Sequence, residues 1–151
     1  MRIDEIVDEA YGKAGFIPYV YEDGFPVFMF MIPSDVRFGG PQPGIAKGGI
    51  DAGETVYEAA LREAGEELGL KKGNIKKSTV KKAWSGKLTG LDETYNMTVY
   101  IGEVKDKADF KEPHWETGEV RWMTKDQFMK AGRDSQRHII RACAALIDGE
   151  K

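Results

Sequence analysis

The stretch from residue 48 to residue 70, Gly-Gly-Ile-Asp-Ala-Gly-Glu-Thr-Val-Tyr-Glu-Ala-Ala-Leu-Arg-Glu-Ala-Gly-Glu-Glu-Leu-Gly-Leu, constrains this chain most. Its pattern predicts a helix over 55–68, opened by a capping box between Thr55 and Glu58 and ended by Gly69. At 100° per residue Val56, Ala60, Leu61, Ala64 and Leu68 form an apolar arc, and Glu63, Glu66 and Glu67 gather beside it. Like charges at i+3 and i+4 cost about 0.2–0.5 kcal/mol per pair, with nothing returned unless a cation sits between them. Three carboxylates without a lysine among them suit a hard, oxygen-seeking cation such as Mg²⁺ or Mn²⁺. A solvated acidic face softened by Arg62 is the bland alternative, and for the glutamates alone it weighs more. The lead-in shifts that weight, because Gly48, Gly49 and Gly53 free the backbone to fold tightly over the helix start and over a phosphate there. Gly65 inside the helix costs about 1 kcal/mol against alanine, which implies close packing at that point.

Composition bounds the rest. With 151 residues, 22 basic and 25 acidic side chains and a net charge of −3, the chain reads as one domain over 1–151. Its 41% hydrophobic and 31% charged residues describe an ordinary globule. Cys143 stands alone, which excludes a disulfide framework and a cysteine-only metal cage and points to a reducing, cytoplasmic setting. The longest apolar run, 27–32, is far below the ~20 residues a membrane span needs. The opening Met1, Arg2, Ile3, Asp4, Glu5 does not read as an export signal. Mild acidity gives no blanket attraction to nucleic acid or to an anionic membrane. Monomer and homodimer both stay open.

Along the chain, 16–21 reads as a strand, 22–24 as a turn and 27–32 as a buried strand. Residues 33–53 form a Gly- and Pro-crowded loop, long enough to suggest a function. Residues 71–84 mix lysines with β-branched residues. Tyr95, Met97, Val99 and Ile101 alternate as a half-buried strand after a hairpin, with Gly102 as an expected bulge. A short strand over 120–123 precedes a second capping box, Thr124 with Gln127, and a short helix ended by Gly132. Asp134 is placed to cap a last helix carrying Ile139, Ile140, Cys143, Leu146 and Ile147 on one face. The fold class is α/β: a sandwich around a mixed sheet.

Gly48, five residues, Glu54, seven residues, Arg62-Glu63, two residues, Glu66-Glu67, one residue, Gly69 and an apolar Leu70 together resemble the complete box of the Nudix hydrolase superfamily. Seven fixed positions at ~7% each coincide by chance about once in 10⁶ chains of this length. Ala64 stands where the family usually carries a larger aliphatic residue. The resemblance implies an α/β/α sandwich with a mixed central sheet and a pyrophosphatase. Such an enzyme would hydrolyse a nucleoside diphosphate linked to another moiety, using Mg²⁺ or Mn²⁺ and more than one ion. Glu63, Glu66 and Glu67 are its implied metal ligands, with the carbonyl of Lys47 or Gly48 as a further one and Glu63 or Glu66 doubling as a base. Glu54 and Arg62 are the implied supporting pair. Many members add an acid from the loop before the final strand. Glu116 resembles that position as catalytic group and ligand, against Glu112, Glu119 and the alternative of loop acids facing water.

Substrate identity is written less plainly. Lys47-Gly48-Gly49 resembles the lead-in of Nudix enzymes that act on diadenosine polyphosphates or 5′-triphosphate RNA. Residues 71–88 hold neither Pro nor Tyr, and so lack downstream markers of the ADP-ribose and diadenosine tetraphosphate subfamilies. The long NADH-pyrophosphatase motif is also absent. Lys71, Lys72, Lys76, Lys77, Lys81, Lys82 and Lys87 occur without an intervening acid. They suit either an RNA track or an edge strand guarded against aggregation, and the second weighs more. Lys47 is a candidate substrate contact, and Phe38, Trp84 and Tyr95 are candidates for stacking on a base, although aromatics are more often core. His114 and His138 read as surface or helix residues. Three functions follow: hydrolysis of a small adenine dinucleotide-type substrate (diadenosine polyphosphate, ADP-ribose or FAD), hydrolysis at RNA 5′ ends, and a non-catalytic Nudix-fold module. The intact glutamate trio speaks against the third.

Overall fold

The computed structural model describes residues 12–38, 41–89 and 94–148. The chain's opening, where the absence of an export signal was expected, and the hairpin turn before residue 94 lie outside them. Among the described residues no helix is long and apolar enough to cross a membrane.

Six strands form one sheet: β1 (Lys13–Glu22), β2 (Phe25–Pro33), β3 (Lys47–Gly49), β4 (Lys81–Thr89), β5 (Thr94–Glu103) and β6 (Thr117–Met123). Its order is β4-β5-β1-β2-β6, with β3 paired to β1 off that path. β1 and β5 run parallel and the other pairs antiparallel, so the sheet is mixed as expected. The described residues hold three α-helices, α1 (Val56–Leu68), α2 (Lys125–Ala131) and α3 (Arg137–Asp148).

Side chains alternate across the central strands, and this alternation builds two cores. Phe16, Met29 and Met31 pack under α1 against Ala60, Ala64 and Leu68. Ile17, Phe28 and Phe30 face the opposite way, onto Phe128 of α2 and Ile139, Ile140 and Cys143 of α3. The unbroken apolar run in β2 follows from its place in the sheet, covered on both faces. Both capping boxes form: Thr55 with Glu58 and Thr124 with Gln127. Gly69 closes α1 in the left-handed conformation at φ 78°.

Three expectations are corrected. β5 runs regularly through Gly102, and the bulge lies on β4 between Lys82 and Trp84. Gly102 is small for packing, since a Cβ there would lie 2.9 Å from the Phe16 ring. Asp134 opens a 3₁₀ turn, Asp134–Gln136, ahead of α3, and pairs with Arg137 at 2.8 Å. The long loop 33–53 is not wholly irregular: it holds the 3₁₀ turn Val36–Phe38 and β3.

Candidate active site

The site assembles where α1 meets β3. Glu67 accepts a hydrogen bond from the Lys47 backbone N–H at 2.9 Å, tying the last turn of α1 to the strand. One residue on, a Cβ added to Gly48 would lie 2.2 Å from the carboxyl carbon of Glu63. Gly48 is thus the gap that Glu63 fills.

Arg62 organises the carboxylates. Its Nε donates to one oxygen of Glu54 at 2.8 Å and its Nη2 to the other at 3.0 Å. The same Nη2 donates to the Gly49 carbonyl at 2.9 Å. Nη1 donates to Glu63 at 2.9 Å and reaches Glu66 at 3.5 Å. Partly exposed ion pairs contribute at most about 1 kcal/mol each, so this arrangement matters for geometry more than for stability. The hydrogen bond from Arg62 holds Glu54 below the usual carboxylate range.

Burial works the other way on the two inner carboxyls. Glu63 is pushed up by burial, with Arg62 opposing and Glu66 adding to the rise. Glu67 is pushed up to about 7, chiefly by burial, although the Lys47 N–H stabilises its charged form. Lys47 is pushed down to about 8 by burial first, then by the nearby charges of Lys13 and Arg133.

Among the described residues no three acidic, His or Cys side chains already converge as a closed metal cage. Glu63 is turned to Arg62 and Glu67 to the strand. The chemistry of the donors nonetheless fits a hard divalent cation: carboxylate oxygens crowded on one helix face, two of the carboxyls held where burial disfavours their charged form.

Beside the carboxylates lies a cavity of about 350 Å³, within the range of small-ligand pockets. Lys47, Glu67 and Arg133 line it together with Ser34, Asp35 and Glu116. Phe38 and Trp115, 73% and 77% exposed, stand on its walls.

The loop carrying Trp115 and Glu116 is fastened to α1. Lys111 N–H bonds the Gly69 carbonyl at 2.8 Å, His114 N–H that of Glu66 at 2.6 Å, and the Thr117 hydroxyl that of Glu67 at 2.8 Å. Carbonyls orphaned at the helix end are thereby satisfied, and Glu116 is carried to the cavity. His114 lies 3.2 Å from the Glu116 carboxylate. Neither rival acid lines the cavity: Glu112 is exposed, and Glu119 is paired with Arg121 at 2.6 Å.

The stacking candidates separate. Phe38 reaches the cavity. Trp84 does not; its ring meets His138 edge-on at 5.1 Å on the far side of β5. Tyr95 is buried beneath two ammonium groups, Lys13 at 4.2 Å and Lys47 at 5.6 Å from the ring centre. Trp115 and Arg133 escaped sequence reasoning. Nothing local marks either one, and tertiary contacts alone bring them to Glu67.

The lysine stretch lies elsewhere. β4 is an edge strand, as the guarded-edge reading expects. Lys71 pairs with Asp109 at 2.5 Å and Lys76 with Glu103 at 2.7 Å. Lys72 and Lys77 line a separate hollow with Tyr57 and Leu61.

A helix carrying clustered glutamates, packed on a mixed sheet and tied to a Gly-rich strand, defines the class. The family model for the NUDIX domain matches residues 23–143, and the chain belongs to the Nudix family. Its relatives include an RNA pyrophosphohydrolase of Wolbachia sp. subsp. Brugia malayi, 30% identical over 95 residues. That match covers 55% of this chain and 59% of the relative, so less than two-thirds of the relative's length is represented. Among solved structures, a C. elegans Ap4A hydrolase in a binary complex superimposes with a TM-score of 0.75 at 18% identity, covering 92% of this chain and 98% of that one. The Nudix domain of Shewanella oneidensis NrtR complexed with ADP ribose gives 0.72 at 12% identity, over 97% and 99%. At these identities the structural likeness concerns the fold.

Proposed function

We propose that this chain is a Mg²⁺- or Mn²⁺-dependent pyrophosphohydrolase of a nucleoside diphosphate linked to a second moiety, with an adenine dinucleotide-type substrate (diadenosine polyphosphate, ADP-ribose or FAD). The observation carrying this reading is the junction at β3. There the glutamate face of α1 meets a cavity of about 350 Å³ across the single residue Lys47. A cavity of that size takes part of such a substrate and leaves the rest over the carboxylates.

Glu63, Glu66 and Glu67 would hold the cations, with the carbonyl of Lys47 or Gly48 completing the oxygen donors. Bound there, the ions supply positive charge against the phosphoanhydride oxygens, whose repulsion otherwise shields phosphorus from water. Arg62 and Glu54 keep the carboxylates in register. Glu116 is placed to accept the proton of an attacking water, with Glu63 or Glu66 as alternative bases. Lys47 neutralises phosphate, and Phe38 and Trp115 offer ring faces to the base. The single buried thiol, Cys143, suits a reducing cytoplasm.

RNA 5′ ends are the second reading, favoured by the name of the Wolbachia relative. Against it stand the lysines: two are engaged with acids and two line a different hollow.

A panel of dinucleotides, nucleotide sugars and 5′-triphosphate RNA, each with Mg²⁺ or Mn²⁺, tests the proposal by phosphate release and mass spectrometry of products. Turnover that EDTA abolishes is expected. No turnover of any compound with either metal would refute it.

A further inference from the structure

Arg133 approaches the site from the turn between α2 and α3. Its backbone N–H bonds the Pro43 carbonyl at 3.1 Å, and its side chain lies across Gly44, where a Cβ would come within 2.5 Å of Nε. Gly44 therefore makes a bed for the guanidinium. Among the described residues no carboxylate comes within ion-pair distance of Arg133, and its hydrogen bond to protein is a long one, Nε to the Gln42 carbonyl at 3.4 Å. The guanidinium thus lines the cavity half-buried, with the charge of Glu67 nearby but outside ion-pair distance. A guanidinium so placed is geometrically ready for two parallel hydrogen bonds to a phosphate or carboxylate.

It is one of a group. Lys13 stands opposite Gly49, and Lys47 opposite Gly15, in the β1–β3 pairing. Their side chains therefore leave the same face of the sheet. Lys13 also lies opposite Met97, two residues from Tyr95 on β5, so Tyr95 shares that face. Both ammonium groups settle over the Tyr95 ring. Lys47 and Arg133 line one cavity, and the acid nearest to balancing them, Glu67, already accepts the Lys47 N–H. Like charges gathered in a partly dehydrated site cost free energy that a polyanion offsets.

Topology decides which part of a polyanion that is. Glu63 faces Gly48 from the α1 side of β3, whereas Lys47 and Arg133 open on the α2–α3 side. Held by cations at the carboxylates, a diphosphate would leave Arg133 without an anion, and a longer phosphate chain would extend to it.

We infer that Arg133, with Lys47, forms a subsite for the third and further phosphates of the substrate, so that the enzyme selects polyphosphate-bridged substrates over diphosphate-bridged ones. This rests on the function proposed above and narrows it to diadenosine polyphosphates over ADP-ribose or FAD.

Two measurements test it. In EDTA, calorimetry with inorganic tripolyphosphate is compared for wild type, Arg133→Gln and, as a distant control, Lys82→Gln. Wild type is expected to bind tripolyphosphate, R133Q to bind it at least tenfold more weakly, and K82Q to match wild type. With Mg²⁺, the ratio of kcat/KM for diadenosine tetraphosphate to that for ADP-ribose is expected to fall at least tenfold in R133Q, through KM. Arg133→Lys, which keeps the charge and loses the fork, should fall between, and it decides the question if R133Q melts markedly lower than wild type. Equal loss on both substrates, an unchanged ratio, or tripolyphosphate binding by R133Q as tight as by wild type would overturn the inference. Absence of hydrolysis by wild type would defeat the proposed function alone, because calorimetry still judges the anion site.

Discussion

The carboxyl group of Glu63 occupies the space in which a side chain on Gly48 would begin, with only 2.2 Å between its carboxyl carbon and an added Cβ. Gly48 and Gly69 therefore make opposite predictions. Gly48→Ala meets the end of a flexible side chain, so Glu63 swings aside and stability changes little. Turnover should nevertheless fall ~100-fold, the cost of misplacing the proposed metal ligand by about 1 Å. Gly69→Ala puts a Cβ into the Lys111 carbonyl at a φ of 78°, where only backbone can yield. A loss of at least ~2 kcal/mol is expected there, seen as a lower unfolding midpoint. The reverse ranking of the two melting curves would contradict this packing.

Replacing Glu67 by Gln removes one negative charge and keeps the oxygen that accepts the Lys47 N–H. Folding should hold or improve, because burial already disfavours the charged form of this side chain. Hydrolysis should drop at least ~100-fold, about 2.7 kcal/mol of barrier. An E67Q protein as active as wild type would remove Glu67 from the chemistry.

Glu116 reaches the cavity on a loop held by three hydrogen bonds to the end of α1. Glu116→Gln leaves those bonds intact and removes the proposed base. We expect kcat to fall by ~100-fold while KM changes less than about twofold, the mark of a group felt in the transition state. A rise in KM alone would make Glu116 a binding residue.

Neutralising Lys76, Lys77, Lys81 and Lys82 to Gln should leave hydrolysis of a dinucleotide within about twofold, since none of them lines the cavity. Were RNA the substrate, affinity would fall steeply with salt, with a slope near −0.7 per phosphate contacted, and the slope would flatten in the quadruple variant. That result would move RNA 5′ ends to first place.

Cys143 is buried on α3, and burial pushes its thiol up to about 12. The thiolate is the reactive form, so a disulfide reagent should scarcely modify the native protein even at pH 9. Modification should track unfolding in denaturant. Rapid labelling of the folded chain would show that α3 opens locally.

How far the chain could be read without coordinates follows the range of the forces involved. Helix α1, its capping box, its terminal glycine and its carboxylate face rest on contacts within four residues, so spacing alone revealed them. The two-sided burial of β2 was likewise visible as an unbroken apolar run. β3 was not, because three residues carry no period and its pairing partner lies over thirty residues upstream. Gln136 bonds Ile45 across 91 positions and helps hold that loop, although neither residue announces the other. Trp84, an apparent stacking residue, went to His138, while Trp115 and Arg133 reached the cavity. Sequence by itself determined the helix and its carboxylate face, since local hydrogen bonding and periodicity are written in neighbours. The walls of the cavity were decided only by the order of strands in the sheet and by the loops it brings together, a matter of long-range packing that no short window of residues contains.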